Sequence, residues 1–380
     1  DGLAGAVSYI TKDASDLADP GNNYYSISTT YDEDSDQNKI NFLGATVGQN
    51  IEALLQVTSR DLSEGELHDD ASLTPNPLSA DQSSLLGKLK LILSDSFEAT
   101  ITADFQEWEG DIELNSDETM SFYPVILNTS ESVGVDEGTR ERVSLKLDFL
   151  GESFFENGSI NIFTQETEQE QQTTKSQQTF GNGLQAGPTA LSSEFRNYQF
   201  NQSIDGFSAE FFKTIGSDDF RRTHNLVYGF EYESTDTQRP RIRVSTNLMT
   251  SAQNTFLGGE YYPNKTFPDT ETKRKAAFFN DRIQVNEKTA VVFGARYDQY
   301  ELNPQPDALF DVNNQSGYQL AEIDDSEISL KLGFIRDLSE EISFYAQYAE
   351  GFRSPDYESA NLSFTNLAYY YMVRPNPNLE

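Results

Sequence analysis

RVSLKLDFL, residues 142–150, is the stretch whose reading decides the fold. Val143, Leu145, Leu147 and Phe149 fall on one side of an extended chain, and Ser144, Lys146 and Asp148 on the other. Successive side chains of a strand point to opposite faces, so this is a ribbon with one oily face and one wet face. The pattern recurs on both sides of it. Leu89, Leu91 and Leu93 oppose Lys88 and Lys90, and Ile101, Ala103 and Phe105 oppose Thr102, Asp104 and Gln106. Further on, Val291, Phe293, Ala295 and Tyr297 oppose Gly294, Arg296 and Asp298. Ile328, Leu330, Leu332 and Phe334 form one more apolar set, and Ile342, Phe344, Ala346 and Tyr348 another.

Period-two alternation maps strands near 22–31, 38–48, 51–60, 85–94, 97–107, 139–150, 157–166, 193–214, 222–236, 273–285, 289–300, 326–336 and 341–350. Tight connections such as LSDSF, QVNEKT and RDLSEE alternate with long polar stretches at about 61–84, 109–138, 168–192, 237–272 and 301–325. Short turns on one edge and long loops on the other describe an all-β, antiparallel transmembrane barrel. A secreted sandwich also alternates but seldom carries its long loops on one edge. A propeller needs a repeat of about 40–50 residues, which is absent. The mean hydropathy of -0.59 does not argue against a membrane, because strands that face lipid at every second position keep it low.

The chain carries 62 acidic and 27 basic residues, a formal charge of -35. Nucleic acid is a poor partner for such a surface. Cysteine is absent, which excludes disulfides and thiolate chemistry. DEDSDQN and HDDAS lack the spaced ligands of a calcium loop and read as solvated tips, and no GxSxG, HExxH or phosphate loop occurs. No enzymatic role is expected. The chain opens on DGLAGAVSYITKDASDL without an initiator Met or a signal peptide, and thirteen is an odd strand count. It therefore reads as a fragment of a longer barrel.

Three stretches resemble a TonB-dependent outer-membrane receptor, in particular its heme and hemoglobin receptor branch. GLAGAVSYITKDASDL (2–17) resembles the end of that family's plug, and FGARYDQYELNP (293–304) resembles a late barrel strand. FRSP (Phe352, Arg353, Ser354, Pro355) and NPNL (Asn376, Pro377, Asn378, Leu379) resemble the paired boxes of heme receptors. The resemblance implies a 22-stranded barrel in the bacterial outer membrane, surrounded by lipid and closed by a plug. Residues 1–20 would end the plug, and 21–380 would form a partial barrel ending in the FRSP/NPNL loop. It further implies active import of heme, or of iron from a heme protein, powered by the TonB–ExbB–ExbD complex through an upstream segment. Heme would be cargo, with no permanently bound cofactor. A ferric-siderophore receptor of the same fold, and a secreted β-rich adhesion or carbohydrate-binding protein, are the alternatives.

One departure bears on the cargo. The branch's axial histidine between the boxes is missing, and the only histidines are His68 and His224. Because heme iron also accepts tyrosinate, Tyr357, Tyr369, Tyr370 and Tyr371 become candidate contacts. Met372 could stack on a porphyrin edge, and Arg353 and Arg374 could pair with propionates. The alternative for these aromatics is an interfacial girdle. Pro355, Pro375 and Pro377 fix the backbone and predict a rigid arch over the barrel mouth.

Overall fold

The computed structural model describes residues 10–65, 74–122, 125–216, 222–314, 319–367 and 370–378. Its core is one antiparallel sheet in which each long strand pairs with the next. These are β1 (Asn23–Asp32), β2 (Gln37–Val47), β3 (Ile51–Ser63), β4 (Leu78–Ser94), β5 (Phe97–Glu113), β6 (Ile126–Leu150) and β7 (Asn157–Phe180). They continue as β8 (Ala190–Ile215), β9 (Thr223–Gln238), β10 (Asp269–Asn286), β11 (Thr289–Gln305), β12 (Ile323–Asp337) and β13 (Ser343–Ala349). All thirteen expected strands are present, in the expected order. The sheet does not close: among the described residues β1 pairs only with β2, and β13 only with β12.

The two faces differ as the alternation requires. Leu145 pairs with Ile162 and with Ile101 on one face, and Arg142 with Gln165 on the other. The first face is open around the sheet: Ile162 is 49% exposed, Ile328 57% and Leu332 51%. Hydrocarbon is the solvent that makes such a surface favourable, at roughly 25 cal/mol per Å² of apolar area removed from water. At the short-turn edge the face carries an aromatic band. Phe149, Phe155, Phe211 and Tyr228 stack in series with ring centroids 5.2 to 5.5 Å apart along the chain of contacts. The Tyr228 hydroxyl donates to the Phe154 carbonyl at 2.7 Å. Girdles of aromatic residues flank the apolar band of membrane barrels at its boundaries with water.

The connections at 48–50, 95–96, 151–156, 287–288 and 338–342 are short and share that edge, and the opposite edge carries one tight turn, 33–36, besides its long connections. On the opposite edge the structure corrects the loop bounds. The stretches expected as loops at 109–138 and 168–192 are largely strand, because β6, β7 and β8 run for 25, 24 and 26 residues. A bilayer needs only about 9–11 residues of tilted strand, so these three project well beyond it. The outer half of β7, QETEQEQQTTKSQQTF (165–180), is polar on both faces up to Phe180. Hydrophobic periodicity has nothing to detect there.

Inside the sheet, near the short-turn edge, the helical turn Ala14–Asp16 packs Ala14 against Ala45, Val47 and Leu54. The Lys88 Nζ holds the segment by donating to the Thr11 carbonyl at 2.9 Å and to Asp13 at 2.7 Å. The chain thus enters β1 from the concave side. Of the expected plug end, residues 1–9 lie outside the described residues.

Candidate functional site

The segment after β13 begins at the long-loop edge, as the strand count requires, and folds back over the concave face. Phe352 and Tyr357 pack with Tyr300, Leu302, Ala321 and Ala360 into a small buried core, where Leu302 and Ala360 are fully inaccessible. Asp356 caps the helical turn Tyr357–Asn361, its carboxylate accepting from the Ser359 N–H at 2.6 Å. Asn361, fully buried, clamps the turn to the neighbouring loop: it accepts from the Ala321 N–H at 2.8 Å and donates to the Ala321 carbonyl at 3.0 Å. A small hairpin follows, Phe364–Asn366 against Tyr371–Val373.

The floor beneath that hairpin comes from the connection between β9 and β10, built around buried ion pairs. Glu194 accepts from Arg243 at 2.9 and 3.2 Å and from Arg196 at 2.5 Å. Burial pushes this carboxyl up, but Arg243 and Arg196 outweigh it and hold Glu194 below the usual carboxylate range. Glu260 pairs with Arg241 at 2.8 Å and accepts the Thr365 N–H at 3.0 Å, which ties the arch to the floor. Lys265 reaches Asp269 at 2.6 Å and Asp307 at 2.7 Å. The expected loop at 237–272 therefore holds a strand pairing (240–247 against β8) and a polar core rather than a free tip.

The sequence-predicted residues are not brought together. Phe352 and Ser354 line a cavity of about 700 Å³ on the concave face. Tyr357 stacks instead on Phe267, with centroids 5.3 Å apart. Its burial, followed by the carboxylates of Glu358 and Asp356, pushes its hydroxyl above the ordinary tyrosine range, against the phenolate that iron ligation needs. Tyr370, Tyr371 and Met372 lie on the outer surface of the arch, Tyr370 82% exposed. Arg374 is turned into its own hairpin, donating to Ser363 Oγ at 3.2 Å and Thr365 Oγ1 at 3.4 Å. Arg353, Asn376 and Asn378 are exposed, and Pro355 and Pro377 half-buried. Tyr369, Leu379 and His68 lie outside the described residues. His224 stands near the start of β9 beside Asp281, with Nδ1 2.7 Å from the carboxylate, at the far edge from the arch.

Sequence reasoning missed most of the cavity wall. Phe163, Phe278 and Tyr300 are among its aromatic residues, and Arg274, Arg296, Lys331 and Lys275, the last paired with Glu301, are its cations. Arg296 is held by Asp298 at 2.9 Å and Glu231 at 2.6 Å. Arg274 lies 5.7 Å from the Tyr300 ring centroid. Two glycines shape the wall: a methyl group at Gly206 would collide with the Phe163 ring, and one at Gly229 with Phe278 and the Ala209 carbonyl. Gly206 pairs directly with Phe163 and Gly229 with Phe278, so each glycine makes room for a ring, and the Phe163 ring is covered in turn by the Arg142 guanidinium, 3.9 Å from its centroid. The signal was present, since Arg296 and Lys331 occupy the wet face of alternating strands. Only the register reveals which wet positions meet.

An oily outer face, a charged concave face and a folded arch at the long-loop edge agree with what the whole-chain pattern identifies. Residues 89–380 match the family described as TonB dependent receptor-like, beta-barrel. The chain belongs to this family. TonB-dependent receptor barrels are outer-membrane proteins that bind extracellular ligands and couple to TonB. The comparison with curated proteins finds no match. Among solved structures, the chain is similar to the RagAB peptide importer in its closed-closed state, at TM-score 0.53 and 11% identity, covering 94% of this chain and 43% of that one. It is also similar to BauA, the ferric preacinetobactin receptor from Acinetobacter baumannii, at TM-score 0.50 and 15% identity, covering 94% and 51%. The chain thus spans about half the length of these receptors or less, and the likeness is one of fold.

Proposed function

We propose that this chain forms the arch-bearing part of an outer-membrane importer that takes up heme or the iron of a heme protein. Import is powered through TonB and its ExbB–ExbD partners, which engage the receptor from the short-turn side. The observation that carries the importer reading is the arch. It rises from the edge that faces outward in such barrels, is tied down by Asn361 and Glu260, and roofs a concave, charged wall. The FRSP and NPNL boxes support heme as cargo, with the aromatic cavity beneath Phe352. The protein's work is recognition and passage, with no covalent step.

The siderophore reading is favoured by a specific observation. No histidine lies between the boxes, Tyr357 is packed against Phe267, and Tyr370 and Tyr371 are exposed and do not line the cavity. The test is direct titration of the full-length receptor. Hemin binding develops a Soret band, and Tyr357→Phe or the Tyr370→Phe/Tyr371→Phe pair shifts that band if a tyrosinate holds the iron. Absence of a Soret change, together with fluorescence quenching by a ferric siderophore, would transfer the assignment to siderophore iron.

A further inference from the structure

Lumenal cations in so acidic a chain require a reason. Basic side chains are outnumbered by more than two to one, 27 against 62, yet on the cavity wall Arg274, Lys275, Arg296 and Lys331 match the carboxylates Glu231, Glu233, Asp298 and Glu350 in number. Arg274 on β10, Arg296 on β11 and Lys331 on β12 stand on three consecutive strands, on the concave face: Arg296 faces Phe278 and Ser329 in register, and Lys331 faces Gly294. Their bonding differs. Arg296 is neutralised by Glu231 and Asp298. Arg274 and Lys331 have no ion pair among the described residues, and both are exposed to the cavity. Beside them is the Phe278 ring, with Phe352 closing the space from the arch, while the Phe163 ring is covered by the Arg142 guanidinium 3.9 Å from its centroid.

We propose that this cavity binds a ligand with an aromatic or macrocyclic plane and at least two anionic oxygens. Arg274 and Lys331 hold the oxygens, and Phe278, with Phe352 above it, takes the plane. This rests on the importer reading above and names the wall on which its cargo lies. It moves the charge-recognition role away from Arg353 and Arg374, of which the first is exposed and the second committed to its own hairpin. The chemistry is differential. A guanidinium lying across Tyr300 keeps its donors in a fixed plane suited to a carboxylate, and an unpaired ammonium is a compact second charge. The neighbouring Arg296, already satisfied, contributes little. Porphyrin propionates and the oxygens of a ferric tris-catecholate both meet the requirement, and the test separates them.

The experiment uses the full-length receptor with hemin, hemin dimethyl ester and a ferric tris-catecholate as probes. It compares wild type, the double variant Arg274→Gln/Lys331→Gln, and Lys146→Gln, a lumenal lysine outside the cavity paired with Asp148. Two lost charge-assisted bonds weaken an anionic probe by about 100-fold or more. Hemin binding in wild type, lost by that factor in the double variant and unchanged in Lys146→Gln, supports the proposal, as does an ester that binds weakly and equally to both. The same pattern with the tris-catecholate and no hemin binding also supports it, with siderophore iron as the source. Equal affinity of wild type and double variant for a probe that binds overturns the proposal and leaves the importer reading standing. Equal losses in Lys146→Gln overturn it as well, since general lumenal charge would then explain the effect. Failure of wild type to bind either anionic probe overturns both.

Discussion

Glu194 has only 4% of its surface exposed and survives as a carboxylate because Arg243 and Arg196 reach it from two strands. A buried pair is expensive to break: removing one partner costs about 3–5 kcal/mol, because the other is left charged and dry. The pH dependence follows from the sign of its shift. Glu194 titrates lower when folded than when unfolded, so its stabilisation is present above the ordinary carboxylate range. It is lost as pH falls through that range and below, and is flat between pH 5 and 8. Amide exchange of residues 240–247, corrected for intrinsic rates, is expected to accelerate only on acidification, and Glu194→Gln is expected to flatten the response. Acceleration at neutral pH instead would contradict this role. None of it was legible in the sequence. Glu194 and Arg243 are 49 positions apart, and in so acidic a chain nothing singles out one glutamate. The boxes were legible because prolines and aromatics at fixed spacing survive any register. Which of their side chains turn inward was not, since that depends on the buried core around Leu302 and Asn361.

Across elements, the register sets up a row of like charges. Asp61 faces Asp81, Asp81 faces Glu109, Glu109 faces Glu137, and Glu137 faces Glu170, on five neighbouring strands. Carboxylates directly opposite destabilise a ladder, each pair by about 0.2–1 kcal/mol. Glu137→Lys would turn two repulsions into two attractions, and a rise in the detergent melting temperature is the expected outcome. A fall would mean that the row is compensated by groups the register does not reveal. The strands carrying this row also show why the sequence under-read their length. RVSLKLDFL betrays itself through leucine alternation, whereas in its own continuation at 126–138, which contains SESVGVDEG, the alternation shrinks to Val133 and Val135 between glutamates, too short a run to count as a strand. Such segments are strands because their neighbours are, which is a cooperative property of the sheet.

At the scale of the molecule, the chain sorts its residues radially. Leucine, isoleucine and phenylalanine face out along the lower part of the sheet, and the wet positions that alternate with them face the concave side, cations included. Acidic side chains dominate the outer face above that level. This sorting follows from period two once one face is assigned to lipid, which is why the architecture was readable before any coordinates. These 380 residues hold no cysteine, so a single spin label placed among them reports its own position once any cysteine elsewhere in the receptor is replaced. The decisive measurement is nitroxide accessibility of the full-length receptor in lipid bilayers at consecutive positions Ser144→Cys, Leu145→Cys, Lys146→Cys and Leu147→Cys. Leu145 and Leu147 labels are expected to collide with oxygen and escape a water-soluble paramagnet, and Ser144 and Lys146 labels to do the reverse. Alternation between a dry protein interior and bulk water, with no lipid-exposed position, would contradict the barrel and the importer built on it.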